Sequence, residues 1–267
     1  MKNDFLDQLA EEIKSCGAYA KAKQGAIHRS FKADGTVITE VDLAINDRLS
    51  SFIKAHYPTA NIVSEEAVDP FDEDAEYTFV IDPIDGTDGF SQGLPTWAVA
   101  LGILNKEREP VGAMISAPRM GLGVEDLCIR LDPGKELLVN GKSFTPNMDK
   151  DVVVQVAMAS SGHRLCDFTH YYGKIRVFGS AILHLLAPVI YPEIQGAMNS
   201  SVYAWDFCAA HAVLKACGFF LIYEDGNEVT YSDRLLKERK NTGKFIFAGT
   251  KAGLADLQKK ITVIHRG

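Results

Sequence analysis

The sequence predicts a mixed α/β protein in which sheets pack against layers of helices. Near the N-terminus, Val41, Ile45 and Leu49, followed by Phe52, recur every three to four residues, which is the spacing of one apolar helix face. Between 61 and 160, short apolar runs are separated by polar turns, as in successive strands. After 160, helix-like and strand-like segments alternate. A run of strands followed by such alternation is typical of sheets layered against helices.

The individual elements are predicted from these local patterns, in chain order. Two helices fill about the first 55 residues, and the polar stretch between them contains the turn signal Asp34-Gly35. The first group of predicted strands lies at 61–63, 77–81, 97–104, 110–116, 121–131, 136–140 and 152–160, and the third and fourth of these form a hairpin. Helices are then predicted near 163–172, from Ser180, at 206–217 and from about 251, and strands at 175–178, 194–198, 219–223 and 245–249.

Composition is that of a soluble globular protein, with 267 residues, 46% of them hydrophobic, and a formal net charge of -7. Because there is no basic surplus to offset phosphates, the charge argues against a nucleic acid polymer or an anionic membrane as partner. The N-terminus has no secretory signal pattern, and the apolar runs are shorter than the roughly 20 residues that a membrane span requires. Five scattered cysteines without CxxC spacing indicate free thiols, so we expect a cytoplasmic protein.

The segment Asp82-Pro83-Ile84-Asp85-Gly86-Thr87 follows an apolar strand and concentrates polar chemistry on a tight turn. Its two carboxylates would point to one side, with the Ile84 carbonyl nearby, and such oxygen ligands suit Mg²⁺. Gly86 and Thr87 supply backbone N–H groups that would form an anion cradle if a helical turn begins there. The alternative is a polar turn in which Asp82 or Asp85 is only an N-cap.

Three more acidic residues stand where a strand ends or a helix begins. Glu65 follows the strand predicted at 61–63 and could reach the same metals, or it could belong to a solvated acidic turn. Asp206 opens the helix predicted at 206–217 and could be a fourth carboxylate or an N-cap. Asp42 lies three residues after Thr39, a spacing that also approximates a capping box.

Carboxylates gathered at one site repel one another. Two unit charges about 4 Å apart cost on the order of 4 kcal/mol at an effective dielectric constant near 20. Such a cluster therefore takes up protons or holds cations, and an adjacent anion cradle favours cations. Two cations about 4 Å apart can generate hydroxide, neutralise phosphoryl oxygens and stabilise a leaving alkoxide. The residues therefore predict a metal-dependent phosphatase, and the sequence contains no HExxH, G-x-S-x-G or Walker motif.

The order of these motifs resembles the inositol monophosphatase family, part of the lithium-sensitive, Mg²⁺-dependent phosphatase superfamily. The matching residues are TEVD at 39–42, SEE at 64–66, DPIDGT at 82–87, Gly179-Ser180-Ala181 and WD at 205–206. The resemblance implies an α/β (α+β) fold, a layered αβαβα sandwich of the sugar-phosphatase type. It also implies a homodimer and a single domain over 1–267, with an N-terminal α+β part at about 1–145 and a C-terminal α/β part at about 146–267.

The resemblance also implies a set of metal ligands. Glu65, Asp82 and the Ile84 carbonyl would bind one Mg²⁺, and Asp82, Asp85 and Asp206 would bind a second. A third, weaker metal near Glu65 would bring the number to two or three.

Catalytic and substrate-binding roles follow from the same resemblance. Thr87, hydrogen-bonded to Asp42, would orient the nucleophilic water beside Glu65 for direct in-line attack without a phosphoenzyme, which makes these three residues catalytic. Gly86 and Thr87 would bind the phosphate through backbone amides. The implied substrate contacts are Asp85, Gly86, Thr87, Ser180, Asn199 and Asp206.

Two positions depart from relatives that act on inositol phosphate. Asp88-Gly89-Phe90 stands where those relatives have Thr-Asn-Phe, and Asn199 replaces a glutamate that binds substrate hydroxyls. The predicted function is Mg²⁺-dependent hydrolysis of a small phosphorylated metabolite, an inositol or sugar phosphate. The alternatives are a 3'(2'),5'-bisphosphate nucleotidase acting on 3'-phosphoadenosine 5'-phosphate and a catalytically idle, metal-binding regulatory homologue.

Overall fold

The computed structural model describes residues 1–120 and 126–264. The helices in these ranges are α1 (Asn3–Lys23), α2 (Glu40–His56), α3 (Thr87–Ser91), α4 (Gly162–Leu165), α5 (Ala181–Ile190), α6 (Cys208–Ala216), α7 (Asp233–Leu236) and α8 (Lys251–Lys260). A short 3₁₀ helix, Gln24–Ala26, follows α1. Every helix in the described ranges is too short or too polar to span a lipid bilayer.

The larger sheet has seven strands in the order of the chain. They are β3 (Asn61–Ser64), β4 (Tyr77–Asp85), β5 (Ala98–Asn105), β6 (Pro110–Ala117), β7 (Leu127–Leu131), β8 (Leu137–Val139) and β9 (Lys142–Ser143). The β3–β4 pair is parallel and the other pairs are antiparallel.

The second sheet has five strands in the order β12-β10-β13-β15-β14. They are β10 (Gln155–Met158), β12 (Lys174–Arg176), β13 (Gly196–Asn199), β14 (Phe220–Tyr223) and β15 (Ile246–Gly249). Two small antiparallel pairs complete the strands, β1 (Ser30–Phe31) with β2 (Val37–Ile38) and β11 (Cys166–Asp167) with β16 (Thr262–Val263).

Five layers follow from how the strand side chains alternate. In β4, Phe79 and Ile81 pack in a buried cluster with α1 and α2, whereas Val80 packs in the cluster that contains α5 and α6. Because successive strand side chains point to opposite faces, the larger sheet is covered on both sides. The second sheet contacts α5 and α6 through one face and α8 through the other. The predicted αβαβα sandwich is therefore the observed architecture.

One predicted helix is wrong for a local reason, and the buried face of α2 differs at one position from the predicted one. The helix predicted near 163–172 is wrong, because α4 ends at Leu165 and the chain continues into β11. The Asp167 carboxylate there accepts hydrogen bonds from the Thr169 amide at 2.8 Å and from the Thr169 hydroxyl, a local pattern that competes with helix formation. In α2 the buried stripe continues at Ile53, and Phe52 is only half-buried. Of the strand predicted at 121–131, residues 121–125 lie outside the described ranges.

Gly102 allows α6 to pack closely on the larger sheet. A Cβ atom at this position would lie 2.5 Å from the Cys208 sulfur and 2.8 Å from the Ala209 amide nitrogen. Real Cβ atoms do not approach other atoms so closely, so the first turn of α6 can reach β5 only across a glycine.

We therefore expect Gly102→Ala to destabilise the protein by about 1–3 kcal/mol, the usual cost of overpacking a core. Gly25→Ala is the matched control, because a Cβ at Gly25 meets nothing within 4 Å. It should change the free energy of unfolding by no more than about 0.5 kcal/mol. Urea denaturation measures both values, and equal stabilities for the two variants would contradict this account of the packing.

Candidate active site

A β-bulge at the end of β4 brings Asp82 and Asp85 to one side of the larger sheet. In a regular strand, residues three positions apart point to opposite faces. Here Asp82 pairs with Ala100 and Asp85 with Ala98, so three steps along β4 match two steps along β5. The extra residue returns Asp85 to the face of Asp82. The sequence predicted the convergence of the two carboxylates on a tight turn, whereas the structure produces it inside a longer strand.

Asp206 joins this pair from the turn before α6. One carboxylate oxygen from each of Asp82, Asp85 and Asp206 lies within 4.8 Å of the others. The Tyr203 amide donates a hydrogen bond to Asp206 Oδ2 at 2.7 Å, which fixes the side chain in the turn. The packing of α6 on β5 brings this turn over the end of β4. These three carboxylates, on two separate elements, form one acidic cluster.

The Asp85 carboxylate also accepts hydrogen bonds from the first amides of α5, whose N-cap residue is Ser180. The donors are the Ala181 amide at 3.0 Å, the Ile182 amide at 2.8 Å and the Ser180 hydroxyl. The Ser180 oxygen in turn accepts from the Leu183 amide at 3.1 Å. Burial raises the pKa of Asp85 to about 6, and the hydrogen bonds oppose that rise. Ser180, predicted as a substrate contact, is thus buried behind Asp85 and binds it directly.

The carboxylates of Asp82 and Asp206 are electrostatically unsatisfied. Asp82 Oδ1 is buried and has no hydrogen-bond partner in the described part of the chain. Burial, followed by the charges of Glu65, Asp85 and Asp206, raises the pKa of Asp82 well above its ordinary value. Burial, followed by the charges of Asp85 and Glu65, raises the pKa of Asp206 well above its ordinary value too. An orphaned oxygen among mutually repelling carboxylates is suited to a cation.

Glu65 approaches the cluster from the end of β3. Its amide donates to the Ile81 carbonyl at 3.3 Å, which places the residue beside β4. Lys32, between β1 and β2, donates from Nζ to Glu65 Oε1 and to Glu66 Oε1, both at 2.7 Å. Burial raises the pKa of Glu65 to about 7, although Lys32 acts in the opposite direction. Lys32 is absent from the sequence-based set, because nothing in its polar local sequence indicates a partner 33 residues away.

Asp42 is both a helix cap and a partner of Thr87. It forms a capping box with Thr39 at the start of α2, as the spacing of the two residues in the sequence also indicated. Its other oxygen lies 3.0 Å from the Thr87 hydroxyl, which also lies 2.7 Å from the Ile84 carbonyl. A hydroxyl has one proton, so Thr87 donates to one of these two oxygens at a time. Burial raises the pKa of Asp42 to about 6, against the hydrogen bonds from Thr39 and Thr87.

Gly86 provides the backbone geometry that starts α3. Its φ of +93° lies in the left-handed region, and an added Cβ would lie 3.1 Å from the Gly179 carbonyl and 3.2 Å from the Thr96 carbonyl. Only glycine fits both constraints without strain. The first amides of α3 have no acceptor within the helix, and Gly86 and Thr87 line the same cavity as the acidic cluster. This arrangement presents N–H donors beside the carboxylates.

Seven predicted site residues line one cavity of about 390 Å³. They are Glu65, Asp82, Ile84, Asp85, Gly86, Thr87 and Asp206. Arg29, Phe31 and Asp88 form part of its wall, and Arg29 donates to Asp88 at 2.6 Å. Two cavities of about 400 and 450 Å³ lie elsewhere, but neither contains this cluster. Chemistry rather than volume therefore identifies the site.

Asn199 lines an adjoining cavity of about 230 Å³ that also includes Asp85 and Asp206. The Asn199 amide nitrogen donates to the Ala181 carbonyl at 3.0 Å, and its oxygen lies 3.0 Å from His184 Nδ1. The Phe178 amide donates to His184 Nε2 at 2.8 Å, so His184 carries its proton on Nδ1. Burial lowers the pKa of His184 to about 4, which keeps it neutral. Asn199 is thus held by the protein itself, through a histidine that no local sequence pattern marks.

We expect the metal-free protein to lose stability as pH rises from about 4 to about 7. The native pKa values of Asp42 and Asp85 rise from 3.8 to about 6, and that of Glu65 rises from 4.5 to about 7. In this window the native state therefore binds more protons than the unfolded chain, and stability must fall with increasing pH. The contribution of these groups to the free energy of unfolding is complete below the pKa values of the unfolded chain. It is lost as pH rises through the higher pKa values of the folded protein.

Thermal unfolding in EDTA at several pH values tests this expectation. Asp206→Asn removes one repelling charge, so its melting temperature should decline less than that of the unmodified protein. Asp74→Asn, at a carboxylate whose side chain is 92% exposed, should follow the unmodified protein. A melting temperature that rises or stays level between about pH 4 and pH 7 would show that the cluster is not under electrostatic stress.

Comparison with known proteins identifies the family of the chain. The model of the inositol monophosphatase family matches residues 4–249. A Nus factor SuhB from Pasteurella multocida (strain Pm70) is 26% identical over 246 residues, which are 88% of this chain and 90% of that protein. Inositol monophosphatase 1 from Saccharomyces cerevisiae (strain ATCC 204508 / S288c) is 26% identical over 250 residues, 80% of this chain and 79% of that one.

A solved structure of an IMPase/NADP phosphatase complexed with Mg²⁺ and phosphate superposes with a TM-score of 0.78 at 16% identity. The match covers 95% of this chain and 93% of that one, so the two proteins share a fold. Because the family model spans almost the whole chain, the protein belongs to the inositol monophosphatase family.

Proposed function

We propose that the protein hydrolyses a small soluble phosphate monoester with the help of bound Mg²⁺. The observation that carries the proposal is the cluster of Asp82, Asp85 and Asp206, whose oxygens lie within 4.8 Å of one another beside the first amides of α3. Membership of the inositol monophosphatase family is consistent with a phosphatase. The Mg²⁺ and phosphate bound by the structural relative support the same pairing of cation and anion.

The residues fit a divalent cation bound by oxygen ligands. The Asp82 oxygen without a partner, together with the raised pKa values in the cluster, supports metal binding by Asp82, Asp85 and Asp206. We assign the Ile84 carbonyl and Glu65 to the same set, because both line the cavity. We propose two or three ions. When bound, Mg²⁺ would neutralise the phosphoryl oxygens and make water more acidic.

The remaining chemistry belongs to the protein. The amides of Gly86 and Thr87 would bind the phosphoryl oxygens as hydrogen-bond donors. When the Thr87 hydroxyl donates to Asp42, its lone pairs can accept a hydrogen bond from the attacking water and so orient it. Glu65 lines the same cavity as Thr87, and we propose that the water is held between these two residues for in-line attack.

The shape of the site favours a small leaving group. The adjoining cavity of about 230 Å³ begins at Asp85 and Asp206, and we propose that it receives the alcohol part of the substrate. Ser160 and Asn199 give this cavity polar walls, which suit an inositol or a sugar. Asp85, Asp206 and Asn199 would then contact the substrate, while Ser180 would act through Asp85.

One observation favours a second candidate. Phe31 lines the main cavity and is 66% exposed, so it offers an aromatic surface on which a nucleobase could stack. This would suit a 3'(2'),5'-bisphosphate nucleotidase. A non-catalytic, metal-binding role is the third candidate, because one relative is named as a Nus factor. The Asp42–Thr87 pair argues against it, since a protein that only binds metal has no need to orient water.

Phosphate release from a panel of monoesters tests these candidates. The panel contains inositol 1-phosphate, fructose 1,6-bisphosphate, histidinol phosphate and 3'-phosphoadenosine 5'-phosphate, each with Mg²⁺, with EDTA and with added Li⁺. We expect Mg²⁺-dependent release from an inositol or sugar phosphate and inhibition by Li⁺. Preference for the nucleotide would favour the second candidate, and no release from any compound would favour the third. Sedimentation of the same sample tests the proposed homodimer, and fractionation of cells tests the proposed cytoplasmic location.

Asp206→Asn should lower kcat by about 100-fold or more, because losing a group that only orients a metal ligand already costs about 10- to 100-fold. The fold should be retained, since asparagine can still accept the hydrogen bond from the Tyr203 amide. Steady-state kinetics at saturating Mg²⁺, with circular dichroism as the folding check, measures both effects. Asp74→Asn should keep full activity. Full activity in Asp206→Asn would remove Asp206 from the metal ligands.

A further inference from the structure

We propose that Arg239 is a positioning residue that fixes Glu65 relative to Asp206 and so sets the affinity of the site for Mg²⁺. The inference rests on the proposed function, because it assumes that these two carboxylates bind metal. Arg239 lines neither of the two cavities at the site and is therefore not a catalytic residue. It lies behind the proposed ligands, where it contacts the backbone beside Glu65 on one side and the Trp205 ring on the other.

The guanidinium of Arg239 holds the turn that carries Glu65. Nη2 donates to the Ser64 carbonyl at 2.6 Å and to the Glu65 carbonyl at 3.1 Å, and Nη1 donates to the Ala67 carbonyl. One side chain thus bonds to three carbonyls within four consecutive residues. Arginine reaches these carbonyls from two nitrogens of a rigid, planar fork, whereas lysine would have to donate from one nitrogen and so would not reproduce this geometry.

The same guanidinium contacts the residue next to Asp206. Its central carbon lies 5.2 Å from the centroid of the Trp205 ring, which is within cation–π range. Trp205 is buried and stacks on Tyr203 with ring centroids 4.8 Å apart. The Tyr203 amide also donates to Asp206 Oδ2. Tyr203 therefore contacts the Asp206 carboxylate, and Trp205 contacts the Arg239 guanidinium. Arg239 therefore joins the Glu65 turn to the Asp206 turn.

The backbone at Arg239 shows that this placement is enforced. Its φ of +52° lies in the left-handed region, which a residue with a long side chain rarely adopts. Such a conformation persists only where the surroundings over-determine it, and it tends to occur at functional sites. Glycine would adopt the same conformation without strain, so Arg239→Gly removes the side chain and relieves the backbone together.

Arg108 is a control that shares left-handed backbone, a stacked ring and a carbonyl contact with Arg239, although it also forms ion pairs with Glu73 and Asp233. Its φ is +61°, its guanidinium lies 5.5 Å from the Phe71 ring centroid, and it donates to the Tyr231 carbonyl at 3.2 Å. It lines neither cavity at the site. Substituting Arg108 therefore measures what the loss of a stacked arginine on left-handed backbone does to the protein in general.

The experiment is calorimetric titration of Mg²⁺ into the full chain without substrate. The proteins compared are the unmodified chain, Arg239→Gly, Arg239→Lys, Arg108→Gly and Arg108→Lys. We expect Arg239→Gly to weaken Mg²⁺ binding by about 10- to 100-fold, the usual effect of removing a group that orients a metal ligand. Arg239→Lys keeps the charge and most of the length of the side chain. Its Kd for Mg²⁺ should therefore lie between that of the unmodified chain and that of Arg239→Gly. Both Arg108 variants should bind Mg²⁺ within about twofold of the unmodified protein.

Three results would overturn the inference, and they are distinguishable. If the unmodified chain binds Mg²⁺ and Arg239→Gly binds it equally well, Arg239 does not position the ligands. If Arg108→Gly weakens binding as much as Arg239→Gly, the effect is one of general stability. If the unmodified chain binds no Mg²⁺, the proposed function fails first and the inference fails with it. Arg239→Lys retains the cation, so it gives a reading even if Arg239→Gly folds poorly.

Discussion

Electrostatic repulsion within a buried carboxylate cluster is the constraint on which the rest of the structure depends. Asp82, Asp85 and Asp206 lie within 4.8 Å of one another, and one Asp82 oxygen has no partner in the described part of the chain. Removing charged carboxylates from water is expensive unless they are paired or bind a cation. The protein tolerates the cluster because close packing of the two sheets and three helical layers holds the elements in place.

Several elements of the sandwich each contribute one part of the site. The bulge in β4 aligns two carboxylates, α5 directs its first amides at one of them, and the turn before α6 brings a third. The outer helix α2 adds Asp42, which reaches the cavity only through Thr87. The site therefore lies where four separate elements end. This explains why residues far apart in the chain can act together on so small a volume.

Candidate site residues that adjoin an apolar strand or helix could be predicted from the sequence. Residues whose hydrogen-bond partners are far away in the chain could not. Glu65, Asp82 and Asp206 could be predicted because each follows an apolar strand or precedes an apolar helix. Periodicity likewise located most helices and strands, but it failed at 163–172, where Asp167 bonds to its own neighbour. Arg239 bonds to Glu65 across 174 residues, and no local pattern marks such a pair. The order of the five layers came from the motifs taken together, since periodicity does not specify which sheet faces which helix.

The binding of the first amides of α5 by Asp85 has a consequence for biosynthesis. Asp85 and Ser180 are 95 residues apart, so a ribosome adding about 5–20 residues per second completes Ser180 on the order of 5–20 s after Asp85. By the end of that interval all strands of the larger sheet have been synthesised, but the Asp85 carboxylate still has none of the α5 donors that later surround it. The nascent N-terminal half is therefore an incomplete folding unit, and its final closure must wait for the helix whose first amides Asp85 binds.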